Sequence, residues 1–300
     1  MSFFDRQRQI SHLLKYNPYH DPKDGKFTSS EGGDAGYQEK FKNFDRQSNL
    51  SAADKTVEDA SIHKYLKNPS GMLAEYTKQF GDKTANADNA RRLFADVGYN
   101  GKNSAAVQEA SSALNKDVWR KALTNPQPHA VLYAGGSGSG KTSAVKGILP
   151  HIEEHAAAVL DGNLSKMSSA MARIHEAQEA GKEAKVVYVY REPVEAWTEG
   201  VIKRMRDNKA EMGRVVPMST FLQNAPGSLD VAKQLKKNGI EVYAVDNSRG
   251  RGNAVVMDDA SFEKLSYPSQ SALRSKLMAA TNKMLKEGKI TKEEFHALVQ

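Results

Sequence analysis

Between residues 129 and 246 the apolar positions fall in short unbroken runs: "HAVLYA", "AAAVLD", "KVVYVY" and "IEVYAVD". Runs of this length, rich in Val, Ala and Tyr, read as strands buried on both faces. Helical spacing fills the stretches between them: "KTSAVKGIL", "SKMSSAMARIHEAQEAG", "PVEAWTEGVIKRMRD" and "TFLQNAPGSLDVAKQLKKNG". Strands alternating with helices predict an α/β fold, a parallel sheet flanked by helices.

The pattern differs on either side of this core. Residues 57–128 read as helical, and in "SAAVQEASSALNKDVWRKAL" Val107, Ala110, Leu114 and Val118 share one face while the charges fall elsewhere. The last stretch, 259–300, is helical again. There Thr291, with Glu294 three residues on, forms a capping box. At the other end, 1–56 is expected to be a largely disordered tail. It carries one short helical pattern, "FFDRQRQISHLLKY", then a polar stretch over 17–33, "NPYHDPKDGKFTSSEGG", that buries too little apolar surface to offset its ordering. The expected division is thus tail 1–56, helical region 57–128, nucleotide-binding core 129–258 and C-terminal helices 259–300.

Composition narrows the classes. The 300 residues contain no cysteine, which excludes disulfides and thiolate chemistry and fits a cytoplasmic setting. A net charge of +7 favours anionic partners such as nucleotides or nucleic acid. No apolar run reaches the length of a membrane span, and the first residues lack a secretory signal's apolar stretch.

The first strand runs into "AGGSGSGKTS", and Gly135, four residues, then Gly140-Lys141-Thr142 is the spacing of a phosphate-binding P-loop. Glycines let successive N–H groups turn toward one anion, and the helix that follows adds its own unpaired donors and dipole. The candidate nucleotide-binding residues are Gly135, Gly136, Ser137, Gly138, Ser139, Gly140, Lys141, Thr142 and Ser143. Lys141 is expected to reach the β- and γ-phosphates of ATP, and Thr142 to ligate Mg²⁺.

Such a site needs an acid and further cations. Asp161 ends the second strand, on the sheet edge where open α/β sheets bind ligands, and is a candidate for Mg²⁺ or for the general base. Asp246 ends the fourth strand and is a candidate for the adenine end. Lys203, Arg204, Arg206 and Arg214 lie in "VIKRMRDNKAEMGRVVP", a segment placed to close over phosphates.

The ordered set "AGGSGSGKTS", "DGNLSK", "KVVYVYREP", "GRVVP" and "VDNSRGRGNA" resembles the zeta toxin family of P-loop kinases, over roughly residues 86 to 290. The resemblance implies a P-loop kinase-like sheet and transfer of the ATP γ-phosphate to the sugar hydroxyl of a UDP-linked amino sugar, with an antitoxin as partner. It also implies that Arg204 and Arg214 contact the transferring phosphate, with Arg206 a rival to Arg204. One departure stands out. Zeta toxins place a catalytic aspartate after a strand soon beyond the P-loop helix and a long substrate-binding insertion before the next strand, whereas here only "SAVKGILPHIEEHAAAVLDGNL" separates Lys141 from the "DGN" segment. Either Asp161 carries both duties, or the acid comes from the preceding helices, with Asp88 and Glu109 as candidates. The segment at 17–33 resembles one in phage head and portal proteins, which implies a phage or prophage origin and a phage structural partner.

These features point to an ATP-dependent phosphotransferase acting on a small-molecule hydroxyl. The alternatives are a virion-associated nucleotide-binding protein engaging nucleic acid, and a degenerate kinase that binds ATP without transfer.

Overall fold

The computed structural model describes residues 41–207, 212–250 and 252–299. The short helical pattern near the N-terminus and the 17–33 segment lie outside these residues. Ser51 opens helix α1 (Ala52–Lys67), its hydroxyl accepting from the Asp54 amide at 3.1 Å. Asn68 ends α1 and caps α2 (Pro69–Phe80), in which Pro69 takes a first-turn position that needs no N–H donor. A short strand, β1 (Thr84–Asn86), leads into α3 (Ala87–Arg92), and a 3₁₀ turn at Ser104–Val107 leads into α4 (Gln108–Leu123). Strand β2 (His129–Ala134) then enters the phosphate loop and α5 (Lys141–Ile148). After α6 (Pro150–Glu154) come β3 (Ala156–Asp161), α7 (Met167–Glu179) and β4 (Glu183–Tyr190).

Next is a helix in three consecutive pieces: α8 (Pro193–Glu195), a π-helical stretch (Ala196–Ile202) and α9 (Lys203–Asp207). Helix α10 (Met218–Lys237) leads to β5 (Glu241–Asp246) and β6 (Val255–Val256). Helices α11 (Asp259–Lys264), α12 (Gln270–Lys286) and α13 (Lys292–Val299) follow. The anticipated capping box is formed: Thr291 Oγ1 accepts from the Glu294 amide at 3.1 Å, and Glu294 accepts from the Thr291 amide at 2.7 Å.

The six strands form one sheet in the order β1-β3-β2-β4-β5-β6, parallel except for the antiparallel β5–β6 pair. This is the α/β, P-loop kinase-like arrangement that the alternating runs predict. Its register sets the site, because Asn86 and Tyr133 both lie opposite Asp161, and Tyr190 opposite Asp246, so these strands end along one edge.

Two boundaries differ from the expectation. The three residues of β1 are too few to show a period of two, yet they pair with β3 and place part of the 57–128 region inside the sheet. Tyr76 ties β1 down: its hydroxyl donates to the Thr84 carbonyl at 2.9 Å and accepts from the Asn86 amide at 3.0 Å. Burial in that corner pushes the Tyr76 phenol up to about 12. The described end of the expected tail, 41–56, also joins the fold, since Phe44 is buried in the main core and α1 starts at Ala52.

The main core lies between α4 and the sheet. Val107, Ala110, Leu114 and Val118 are all buried there, together with Trp119, Leu132, Val186 and Leu229. A second cluster packs α5 on the other face through Val131, Tyr133, Val145 and Val187. A third seats the C-terminal helices on the π-helical stretch, where Trp197 meets Phe221, Leu273 and Leu277 and donates its indole N–H to Thr281 at 2.9 Å.

Helix α10 carries Pro226 and Gly227 in its interior, residues that lower helix propensity. Close approach accounts for the small residues Ala225 and Gly227. A Cβ on Gly136 of the phosphate loop would sit 2.8 Å from that of Ala225, and one on Gly227 would sit 3.0 Å from the Ser165 carbonyl oxygen.

Because α4 and the sheet share one core, the chain is expected to unfold as one unit. Leu114→Ala should cost about 2–5 kcal/mol and lower the urea midpoint of circular dichroism and tryptophan fluorescence together. A separate, earlier transition of the helical region would show the core to be divided.

Candidate active site

The loop between β2 and α5 is shaped by backbone that only glycine holds easily. Gly135, Gly138 and Gly140 have φ of 135°, 78° and 75°. Close approach adds a second demand at Gly138, where a Cβ would fall 2.2 Å from the Ala196 carbonyl oxygen. On the facing π-helical turn, a Cβ on Gly200 would fall 2.3 Å from the Gly138 carbonyl oxygen. The π-helical turn therefore packs backbone on backbone against the loop, the kind of irregularity that π turns supply near functional sites.

Side chains hold the outside of the loop. Arg191 donates to the Gly138 carbonyl at 3.3 Å, and Asn247, just past β5, donates to the Ser139 carbonyl at 2.7 Å. On the inside, the Gly135 amide donates to the Asn163 carbonyl at 3.2 Å. Leu164, with φ of 51°, makes the turn that leaves Asn163 facing the loop. Lys141 lies folded across the loop, donating to the carbonyls of Gly135 and Gly136 at 3.1 and 3.2 Å and to Asn163 Oδ1 at 3.2 Å. Burial drops its ammonium to about 8; Asp161 and Asp88 pull it up, and Arg204 and Arg214 push it down.

Two carboxylates face this lysine. Asp161, at the end of β3, accepts from Thr142 Oγ1 at 3.1 Å and from the Asn86 side-chain amide at 2.9 Å. Asp88 sits in the first turn of α3, whose cap Asn86 accepts from the Asp88 amide at 2.7 Å. One Asp88 oxygen bonds Arg91 and the other bonds Arg214. Burial alone would raise the Asp88 carboxyl, but Arg214, Arg91, Arg204 and Lys141 overcome it and hold the group below its ordinary value. Consecutive left-handed residues, Met212 (φ 56°) and Gly213 (φ 65°), precede Arg214. The Val215 amide donates to the Gly101 carbonyl at 3.2 Å, so the loop before α4 supports this arginine segment.

The sequence candidates thus sort by position. Gly135 through Thr142, Asp161, Asp88, Arg204 and Arg214 converge at one sheet edge. Ser143 is exposed beside them in the first turn of α5. Arg206 is exposed, and Lys203 points to Glu199 at 3.8 Å, so of the α9 cations it is Arg204 that acts electrostatically on Asp88 and Lys141. Glu109 is not brought to the site: it accepts from Gln47 at 3.0 Å at the far end of the helical region. Asp246 is on the site edge, accepting from the Ser248 amide at 2.9 Å.

Sequence reasoning did not single out Arg91, Asn86, Asn163, Arg191, Asn247 or Gly200. Only Asn163 and Arg91 carried a local signal, the first two residues after Asp161 and the second one helical turn after Asp88.

The parallel sheet, the glycine loop on its C-terminal edge and the strand-end acid beside it define a P-loop kinase-like protein. Residues 150–262 match the model of the Zeta toxin family, so the chain resembles the zeta toxins over that span; the phosphate loop itself lies just before it. No curated protein matches the chain. A solved structure from work on the PezAT chromosomal toxin–antitoxin system of Streptococcus pneumoniae aligns at 12% identity, covering 57% of this chain and 87% of that one, with a TM-score of 0.33. Among the described residues, no helix is long and apolar enough to cross a membrane.

The low position of Lys141 has a consequence for stability. The folded state prefers this group neutral, so stability should climb as pH rises from about 8 toward the unfolded value of 10.5. Lys141→Met removes the buried cation but forfeits its hydrogen bonds, leaving a net gain of about 1 kcal/mol at pH 7. Urea melts at pH 7 and pH 10 check this: the variant should be the more stable at pH 7 and should lose the alkaline rise.

Proposed function

We propose that the protein is an ATP-dependent phosphotransferase that moves the γ-phosphate to a hydroxyl of a small molecule, with a UDP-linked amino sugar as the acceptor class that the zeta toxin resemblance suggests. One observation carries this reading: Lys141, Asp161, Asp88, Arg204 and Arg214 converge on a glycine cradle. The left-handed glycines at 135, 138 and 140, and the buried Ser139 hydroxyl without a partner among the described residues, fit a bound phosphate.

Mg²⁺ fits as well. Among the described residues no group of three or more His, Cys, Asp or Glu side chains could hold a metal, but Mg²⁺ in such sites takes one or two protein ligands and completes its shell with phosphate and water. Thr142 and Asp161, already in contact, are those two ligands. When bound, the ion would neutralise charge on the phosphate oxygens.

The chain's own groups divide the remaining work. Amides of the 135–142 loop and the start of α5 hold the nucleotide's phosphates, and Lys141 leaves its carbonyl partners to follow them. Arg204 and Arg214 lie over the transferring group, whose charge spreads on its equatorial oxygens. Asp88, kept anionic by its cations, takes the acceptor's proton. As the acceptor oxygen bonds to the γ-phosphorus, the bond from that phosphorus to the bridging oxygen breaks and ADP leaves. Asp161 keeps to Thr142, so the two acids have separate duties. The family resemblance also suggests an antitoxin that covers this edge.

The test is incubation with Mg²⁺ and γ-labelled ATP over a panel of UDP-N-acetylglucosamine, free nucleosides and nucleic-acid ends. Label is expected on the UDP-sugar, and none with Lys141→Ala. Asp88→Asn should lower kcat by about 10²–10⁴-fold while ATP still stabilises the fold against heat. Full turnover by Asp88→Asn would return the base role to Asp161, and ATP binding with no labelled acceptor would leave a nucleotide-binding protein without transfer.

A further inference from the structure

The two arginines on Asp88 are not equivalent. Arg91 lies one turn along the same helix, is buried, and is anchored from behind: its second terminal nitrogen donates to Gln108 Oε1 at 2.6 Å, and Gln108 in turn donates to Ser112 at 2.8 Å on α4. Arg214 reaches Asp88 from the left-handed turn at 212–213; the Nε of each arginine is buried with no hydrogen-bond partner among the described residues, so the two differ in their anchoring and not in that atom. Each guanidinium takes a different oxygen of the carboxylate, Arg91 on Oδ1 and Arg214 on Oδ2.

Building on the phosphotransferase reading, we propose that Arg91 is the permanent positioning residue of Asp88. Arg214 guards the second oxygen only until phosphate draws it away. Arg91 and Arg214 bond one oxygen each, so a guanidinium stands against both sides of the carboxylate. Once Arg214 moves to the transferring group, Oδ2 is uncovered. Arg91, held by Gln108, keeps Oδ1 bound, so the carboxylate stays oriented and ionised while it waits for the hydroxyl proton. The base is thereby uncovered by the same phosphate whose transfer it assists.

The groups around this carboxylate come from several elements. Arg91 is on its own helix, Arg204 and Arg214 belong to the arginine segment, and Lys141 is on the loop. Tyr99 faces Arg91 from the turn after α3, and Asp161 and Tyr76 close the β1 side. Arg91 is tied both to Asp88 and, through Gln108, to α4.

The test follows the Asp88 carboxyl directly, by ¹³C NMR of aspartate-labelled full-length protein, with Asp88→Asn to assign the signal. In Arg91→Gln the titration midpoint should rise by about one pH unit, and in Arg91→Lys, which keeps the charge but not the fork, it should stay near wild type. The acid limb of kcat/KM should move with the midpoint in Arg91→Gln, kcat should fall in both variants, and the KM for ATP should hold. Adding Mg²⁺ and a non-hydrolysable ATP analogue should raise the wild-type midpoint slightly, and that of Arg91→Gln further. Melting curves establish that both variants are folded, and Arg91→Lys carries the test should Arg91→Gln fail to fold. An unmoved midpoint in Arg91→Gln overturns the proposal, most plainly when Arg214→Gln raises it. A wild type that binds ATP but labels no acceptor defeats the phosphotransferase reading, and the carboxyl titration then still decides the role of Arg91.

Discussion

The contact between Gly138 and Gly200 leaves no room for a single carbon, and most of the site is arranged around it. A loop of left-handed glycines is entropically expensive to hold. Here it is pressed between a π-helical turn on one side and Ala225 of α10 on the other, and tied at its outer carbonyls by Arg191 and Asn247. The π turn is itself set by Trp197 and its neighbours in the C-terminal cluster. The helices after residue 259, remote from the chemistry, thus contribute to the shape of a loop more than a hundred residues earlier.

Charge is the second organising constraint. Lys141, Arg91, Arg204 and Arg214 stand against Asp88 and Asp161 at one partly buried edge, four cations to two carboxylates. Gathering cations of like sign costs stability, and Arg204 and Arg214 add to the burial that already lowers Lys141. An edge with surplus positive charge suits a partner that carries several negative ones. Asp88 and Asp161 divide the anionic side, with the first held by arginines and the second by a hydroxyl and an amide.

The alternating runs between 129 and 246 made four strands and their helices legible to within a residue or two, because each strand is buried on both faces and shows it as an unbroken apolar run. The phosphate loop was legible because its glycines and lysine are local in sequence. What sequence could not reveal was non-local or too short. Three residues at 84–86 become a strand only because the edge of β3 is there to pair with them. Asp88 could be offered only as one of several acids until that pairing carried it beside Arg214. Arg204 and Arg206 differ only by which face of a short helix meets the loop, and Arg91 reads as an ordinary i,i+3 partner on a polar helix. The small residues Ala225 and Gly227 of α10 carry no local signal, because Gly136 and Ser165, which they approach, are distant in sequence.

The chain order of the sheet has a consequence for synthesis. Strand β1 is made before β2, yet its neighbour in the sheet is β3, so during translation residues 84–86 have no partner until residue 161 has emerged. Asp88 is thus made first, the phosphate grip comes next and Asp161 after it, and Arg204 and Arg214 come later still. A ribosome-bound chain that has already made its P-loop still lacks the two arginines over it, and the assembled pocket is among the last features of the molecule to come into being.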